Sequence, residues 1–173
     1  VTDGNFWKTP EQFETFIIGV HSRLREQILN MFLMGEIRAD VLGEQSFSGG
    51  STIYLRYTLN TLDSEYPGIS GFGGLYTNIN QLNLIIAKAL VTDVLTEKDK
   101  GYYLGQAYGM RAFYYFHLLR TWGDVVLVED PSLSFDLANI SKPASPATAV
   151  ISFIKEDIEN SLASFGDDYS FQA

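Results

Sequence analysis

Cysteine is absent from the 173 residues. That excludes disulfides, thiolate metal sites and a cysteine nucleophile, and it leaves the redox compartment open. Basic residues are scarce, 12 Lys+Arg against 21 Asp+Glu, for a formal charge of −9. A surface of that sign repels phosphate backbones, so no nucleic-acid partner is expected. No apolar run approaches the roughly 18–20 residues of a membrane-spanning helix. No signal peptide is visible, yet the chain starts at Val1 rather than methionine. An upstream segment is therefore expected to have been removed; a processed export signal and a trimmed start fit equally.

Catalytic signatures are missing too. There is no P-loop, dinucleotide-binding glycine fingerprint, HExxH, EF-hand or GxSxG motif. His21 and His117 have no His, Asp or Glu three or four residues further on, so no metal pair is expected. Glu156-Asp157 and Asp167-Asp168 read as solvated carboxylates with nothing near them to raise a pKa. Neither an enzyme nor a cofactor is expected.

What is present is apolar bulk. Hydrophobic residues make up 46% and aromatics 14%, enough for one domain with a real core. The organising stretch is Lys98–Val128. Tyr103, Ala107, Met110, Tyr114 and Leu118 line one side of a helix, and Leu104, Tyr108, Tyr115 and Leu119 line the next. Phe113 and Phe116 close much of the rest, so this helix belongs in a core. Gly101, Gly105 and Gly109 form a smooth strip where another helix can approach, offsetting a cost of about 1 kcal/mol per glycine. Gly123 is a natural stop, and Val125–Val128 reads as a short extended run. Arg111 lies among rings, where a bare charge would be costly. It reads as a buried structural arginine paired with Glu36 or Asp40 of EIRAD, in preference to a ligand clamp.

Three further helices are expected. Thr9-Pro10-Glu11-Gln12 opens the first with a capping box, followed by Phe13, Phe16, Ile17, Val20, Leu24 and Ile28, out to Met31–Met34. Leu75–Leu95 carries a stripe of Leu75, Ile79, Leu82, Ile86 and Leu90, with Asn83 buried and bonded to backbone. Thr96 caps the central helix. Ser145 caps the last, whose stripe is Ile151, Ile154, Ile158, Leu162 and Phe165, with Glu156, Asp157 and Glu159 outward. Residues 41–74 differ: Gly- and aromatic-rich, they read as a long irregular loop, with a possible short strand at Ile53–Asn60.

GQAYGMRAFYYFHLLRTWGDVVLVED resembles the hallmark segment of the SusD/RagB family, G-E-A-x-x-L-R-A-F-x-Y-F-x-L-V-x-x-[WY]-G-D-V-P-L-V. Gly105, Ala107, Arg111, Ala112, Phe113, Tyr115, Phe116, Leu118, Trp122, Gly123, Asp124, Val125, Leu127 and Val128 match; Gln106 and Val126 depart from the usual glutamate and proline. EIRAD, LYTNINQLNLII and SPATAVISFIKEDIENSLASF resemble further family segments in the right order.

The resemblance implies an all-α, tetratricopeptide-like helical-hairpin scaffold of the SusD type with a long irregular loop insertion. Residues 1–173 would be a single domain, the N-terminal portion of a longer protein whose loop-rich C-terminal half is absent. It also implies a non-enzymatic surface lipoprotein of the outer membrane, held by an N-terminal lipid anchor not present in this chain. Such a protein binds glycans or other nutrients and serves a SusC-like TonB-dependent transporter. Sugar rings stack on aromatics while their hydroxyls need polar partners, so Tyr54, Arg56, Tyr57, Asn60, Tyr66 and Phe72 are the glycan-binding candidates. The alternative is a helical scaffold that only contacts the transporter.

Overall fold

The computed structural model describes residues 5–40, 52–63, 65, 72–132 and 142–167. Its elements are α1 (Pro10–Met34), a 3-10 turn (Glu36–Arg38), α2 (Thr52–Thr58), α3 (Gly73–Val91), α4 (Glu97–Trp122) and α5 (Ala147–Phe165). Among the described residues there is no strand, only an isolated bridge between Val125 and Ser145. The all-α architecture follows the expectation.

Thr96 starts α4 as its spacing predicts: its hydroxyl accepts from Asp99 N at 3.1 Å and donates to the Asp99 carboxylate at 2.7 Å. Gly123, at φ 76°, ends it. The helix is central, touching α1, α3 and α5. Tyr114, Tyr115 and Leu118 are fully buried, whereas Phe113 and Phe116 stay half-exposed. The glycine strip is the seat of α5. A Cβ at Gly105 would meet the Phe165 ring at 2.7 Å and one at Gly101 would strike the Ser164 carbonyl. Ser161 uses the same closeness to donate to Gly105 O at 2.7 Å.

At the start of α1, the Gln12 side chain accepts from Lys8 N at 2.6 Å instead of closing a box on Thr9, whose side chain makes no cap bond. Ile28 and Leu90 leave the expected stripes and are exposed. Ile53–Asn60 is no strand. The segment has no neighbouring strand to pair with among the described residues, and Thr52–Thr58 bonds to itself as α2. Asn60 then turns left-handed at φ 53°, a region asparagine tolerates better than most residues. Tyr57 is the anchor, buried against Leu33 and Ile37 in a small second cluster.

The largest departure is α5. Its buried residues are Val150, Phe153, Asp157 and Ser161, while Ile151, Ile158 and Leu162 are exposed. The helix is rotated from the face its aliphatic residues predict, because the smooth strip and Arg111 of α4 dictate which side docks. Ser145 is not its cap: its N–H bonds Val125 O at 2.9 Å, and the Asp124 carboxylate accepts from Ala147 N at 2.9 Å.

Candidate functional site

Arg111 is the buried charge. Nε and Nη2 bond both Asp157 oxygens, at 2.8 and 2.7 Å, and Nη1 bonds Asn83 Oδ1 at 2.7 Å. The guanidinium lies over the Phe153 ring at 4.9 Å and the Tyr108 ring at 5.4 Å. Its carboxylate partner is therefore neither Glu36 nor Asp40, which are exposed. It is the Asp157 expected to face solvent. Burial pushes the Asp157 carboxyl above the usual carboxylate range, and Arg111 opposes that shift without cancelling it. Asn83 donates to Val128 O at 2.8 Å, as a buried asparagine bonded to backbone should. Among the described residues no buried side-chain nitrogen or oxygen lacks a partner, so this network is occupied by its own fold.

The open site lies at the far end of the same helix. α1 and α4 run side by side in one direction, with Phe13 stacked on Tyr103 near their starts and His21 bonded to Gln106 at 2.8 Å further on. Their last turns consequently meet where α3 begins. Gln27, Asn30, Met31 and Met34 of α1, Leu75 of α3, and His117, Arg120, Thr121 and Trp122 of α4 line a shallow groove there, with about 20 Å³ of enclosed space. Gly35 is bare at this point, and a Cβ on it would collide with the Arg120 guanidinium.

Apolar and polar groups share this groove. Met31, Met34, Leu75 and Trp122 supply carbon surface; Gln27, Asn30, Thr121 and Arg120 supply hydrogen-bonding groups. Arg120 stacks over the Phe116 ring at 5.7 Å and makes no ion pair among the described residues. Burial, and then the Arg120 charge, lower the His117 pKa, so the imidazole is neutral at pH 7. Phe72, 48% exposed, sets its ring edge-on to Trp122 at 5.8 Å. Rings beside amides, a hydroxyl and a guanidinium suit a ligand with both C–H faces and hydroxyls.

Of the predicted site residues that the structure describes, none lines the groove; Phe72 meets it only through its ring contact with Trp122. Tyr57 is 1% exposed and offers no face to a ligand, because α2 needs an anchor and has no larger apolar residue in that cluster. Asn60 accepts from Arg38 Nε at 2.8 Å, and Arg56 pairs with Asp63 at 3.5 Å. None of these three lines the groove. Tyr66 and the Tyr54 side chain lie outside the described residues. Sequence reasoning missed Gln27, Asn30, Arg120 and Trp122. One signal was available: Gln27 and Asn30 interrupt the flank of α1 between Leu24 and Met31, three residues apart and so on one side. Among the described residues no group of three His, Asp or Glu could hold a metal, and no helix is long and apolar enough to cross a membrane.

A helical-hairpin scaffold with an amphipathic groove at one end is a class that comparison narrows. No family model matches the chain. It is 30% identical to SusD-like protein P38 of Formosa agariphila over 99% of its own length and 34% of that protein's. Among solved structures, NanU of B. fragilis is 52% identical with a TM-score of 0.86, over 96% of this chain and 33% of that one. A SusD superfamily protein of Bacteroides vulgatus is 48% identical with a TM-score of 0.84, over 94% and 33%. The chain belongs to the SusD-like family, and it spans about a third of the length of these relatives.

Proposed function

We propose that this chain is the helical part of a non-catalytic, cell-surface glycan-binding protein that delivers its ligand to a SusC-like TonB-dependent outer-membrane transporter. The single observation that carries the binding half of this reading is the groove at the ends of α1 and α4. Trp122 gives a ring for a sugar's C–H face, with Phe72 edge-on behind it, and Gln27, Asn30, Thr121 and Arg120 give partners for its hydroxyls. Delivery to a transporter, an N-terminal lipid anchor, the outer-membrane location and a C-terminal half beyond this chain are part of the same reading, supported by family membership. Tyr66 and Tyr54, in the aromatic segment between α1 and α3, remain proposed contributors beside Phe72.

The test is calorimetry or an affinity gel over a panel of oligosaccharides. Wild type is expected to be retained by at least one glycan, with retention reduced in Trp122→Ala and Phe72→Ala. Undiminished retention in both variants would remove the groove from the ligand site.

A second reading has its own support. Arg56, Tyr57 and Asn60, which could have met a sugar, are engaged in holding α2 and its surroundings. On that reading the chain is scaffold and transporter contact only. Capture of the transporter without a heat of saccharide binding would favour it.

A further inference from the structure

α1, α4 and α5 each end on a glycine, and the first of these glycines differs from the other two. Gly123 and Gly166 close α4 and α5 at φ 76° and 57°, the left-handed region that favours glycine, and a Cβ on either would meet nothing within 4 Å. Gly35 closes α1 at φ −107° and ψ −83°, its N–H bonded to Met31 O at 2.9 Å. That is not the left-handed region, so a positive φ is not what calls for glycine there. The requirement is space. A Cβ on Gly35 would collide with Arg120 Nη2, stand 3.5 Å from Arg120 Cζ and press the Met31 carbonyl at 3.0 Å.

The Arg120 guanidinium thus rests against the bare backbone of Gly35, with its Cζ 5.7 Å from the centre of the Phe116 ring. No aspartate or glutamate is among the nine residues that line the groove, so none of them competes for the cation. We propose that Gly35 is a positioning residue for the groove: by leaving room for the guanidinium it holds the Arg120 charge in the groove wall, and any side chain at position 35 displaces it. The displacement is cheap for the fold, because the atoms in the way are the far end of a flexible side chain. Position 35 therefore controls where the charge sits with little effect on stability. That the charge serves a sugar rests on the glycan-binding reading. Its placement does not, and the test uses no saccharide, so the two can fail separately.

The probe is quenching of Trp122 fluorescence by iodide at constant ionic strength, divided by quenching with uncharged acrylamide to cancel exposure. Trp7→Phe leaves Trp122 as the single tryptophan. His117, its pKa lowered from the usual value, stays neutral at about pH 8. Arg120 and Trp122 line the same groove. Arg120→Gln is therefore expected to lower the iodide-to-acrylamide ratio about twofold, the local enrichment of an anion by a unit charge a few ångströms away in salt water. Gly35→Ala should lower it by most of that amount while the urea midpoint stays near that of the parent. Gly35→Ser, which carries the same Cβ, should do the same. Added to Arg120→Gln, Gly35→Ala should change the ratio no further, a dependence that general loosening of the helix end would not produce. An unchanged ratio in folded Gly35→Ala and Gly35→Ser would overturn the proposal. So would an equal drop with and without Arg120.

Discussion

Arg111 and Arg120 lie on the same helix, each against an aromatic ring, and meet opposite fates. Arg111 is 6% exposed and spends its guanidinium on Asp157, Asn83 and the Glu129 carbonyl. Arg120 is exposed, leans on Phe116, and forms no ion pair among the described residues. The lesson concerns what surrounds the charge rather than the charge itself. At the middle of α4 three elements close around a cation and supply a matching carboxylate. At its end, α1 and α4 terminate together and leave a gap, and a cation at such a rim is available to something else.

Substitutions can break this contrast, and the largest effects belong to the closed end. Arg111→Leu or Asp157→Ala should each cost about 3–5 kcal/mol in urea unfolding, because each strands a buried charge. The double variant Arg111→Met/Asp157→Leu should recover much of that loss, since paired apolar groups strand nothing. Next come the glycines. Gly101→Val should destabilise by about 1–3 kcal/mol, as the side chain meets backbone that cannot swing aside. Gly19→Ala, with nothing within 4 Å of the new methyl, should instead raise stability by about 0.5–1 kcal/mol. At the open end, Trp122→Ala should weaken retention of the bound glycan about 2- to 10-fold, and Arg120→Gln should weaken it less while leaving the urea midpoint nearly unchanged.

The smallest effect is a pH dependence. His117 has a folded pKa below its unfolded value. Its contribution to stability is therefore complete above about pH 6.5 and is lost as the pH falls from there through the folded pKa. Thermal unfolding between pH 7.5 and 5 should show that decline, and His117→Gln should flatten it.

Much of this was legible in the sequence, for reasons that are local. The Thr96 cap, the Gly123 stop and the dense periodicity of α4 are each set by residues within a few positions of one another. The glycine strip told that something would dock closely, and Asn83 among leucines told of a buried backbone bond. What docked, and by which side, was not local. Asp157 sits between acidic and aliphatic neighbours that suggest a solvated face, and only α4, with Arg111 waiting, turns it inward. The aliphatic stripe of α5 misled for the same reason: hydrophobicity marks a face that will be covered without saying by which neighbour. α2 was missed because alternation over Ile53–Asn60 reads as a strand only if another strand lies alongside. The groove escaped because its residues come from three helix ends far apart in the chain, and the hallmark segment that holds Trp122 does not say which other residues meet it.

The Asp124 side chain grips the first turn of α5 while Val125 and Ser145 exchange a backbone bond. These two clasps fix where α4 ends and α5 begins, and Val128, Glu129 and Ser132 are bonded back onto α3 and α4 as well. The placement of the helices is therefore set by these bonds rather than by the length of the connection, since lengthening a tethered connection costs little. Evolution, or an engineer grafting a foreign peptide, could rewrite its central part without repositioning α5.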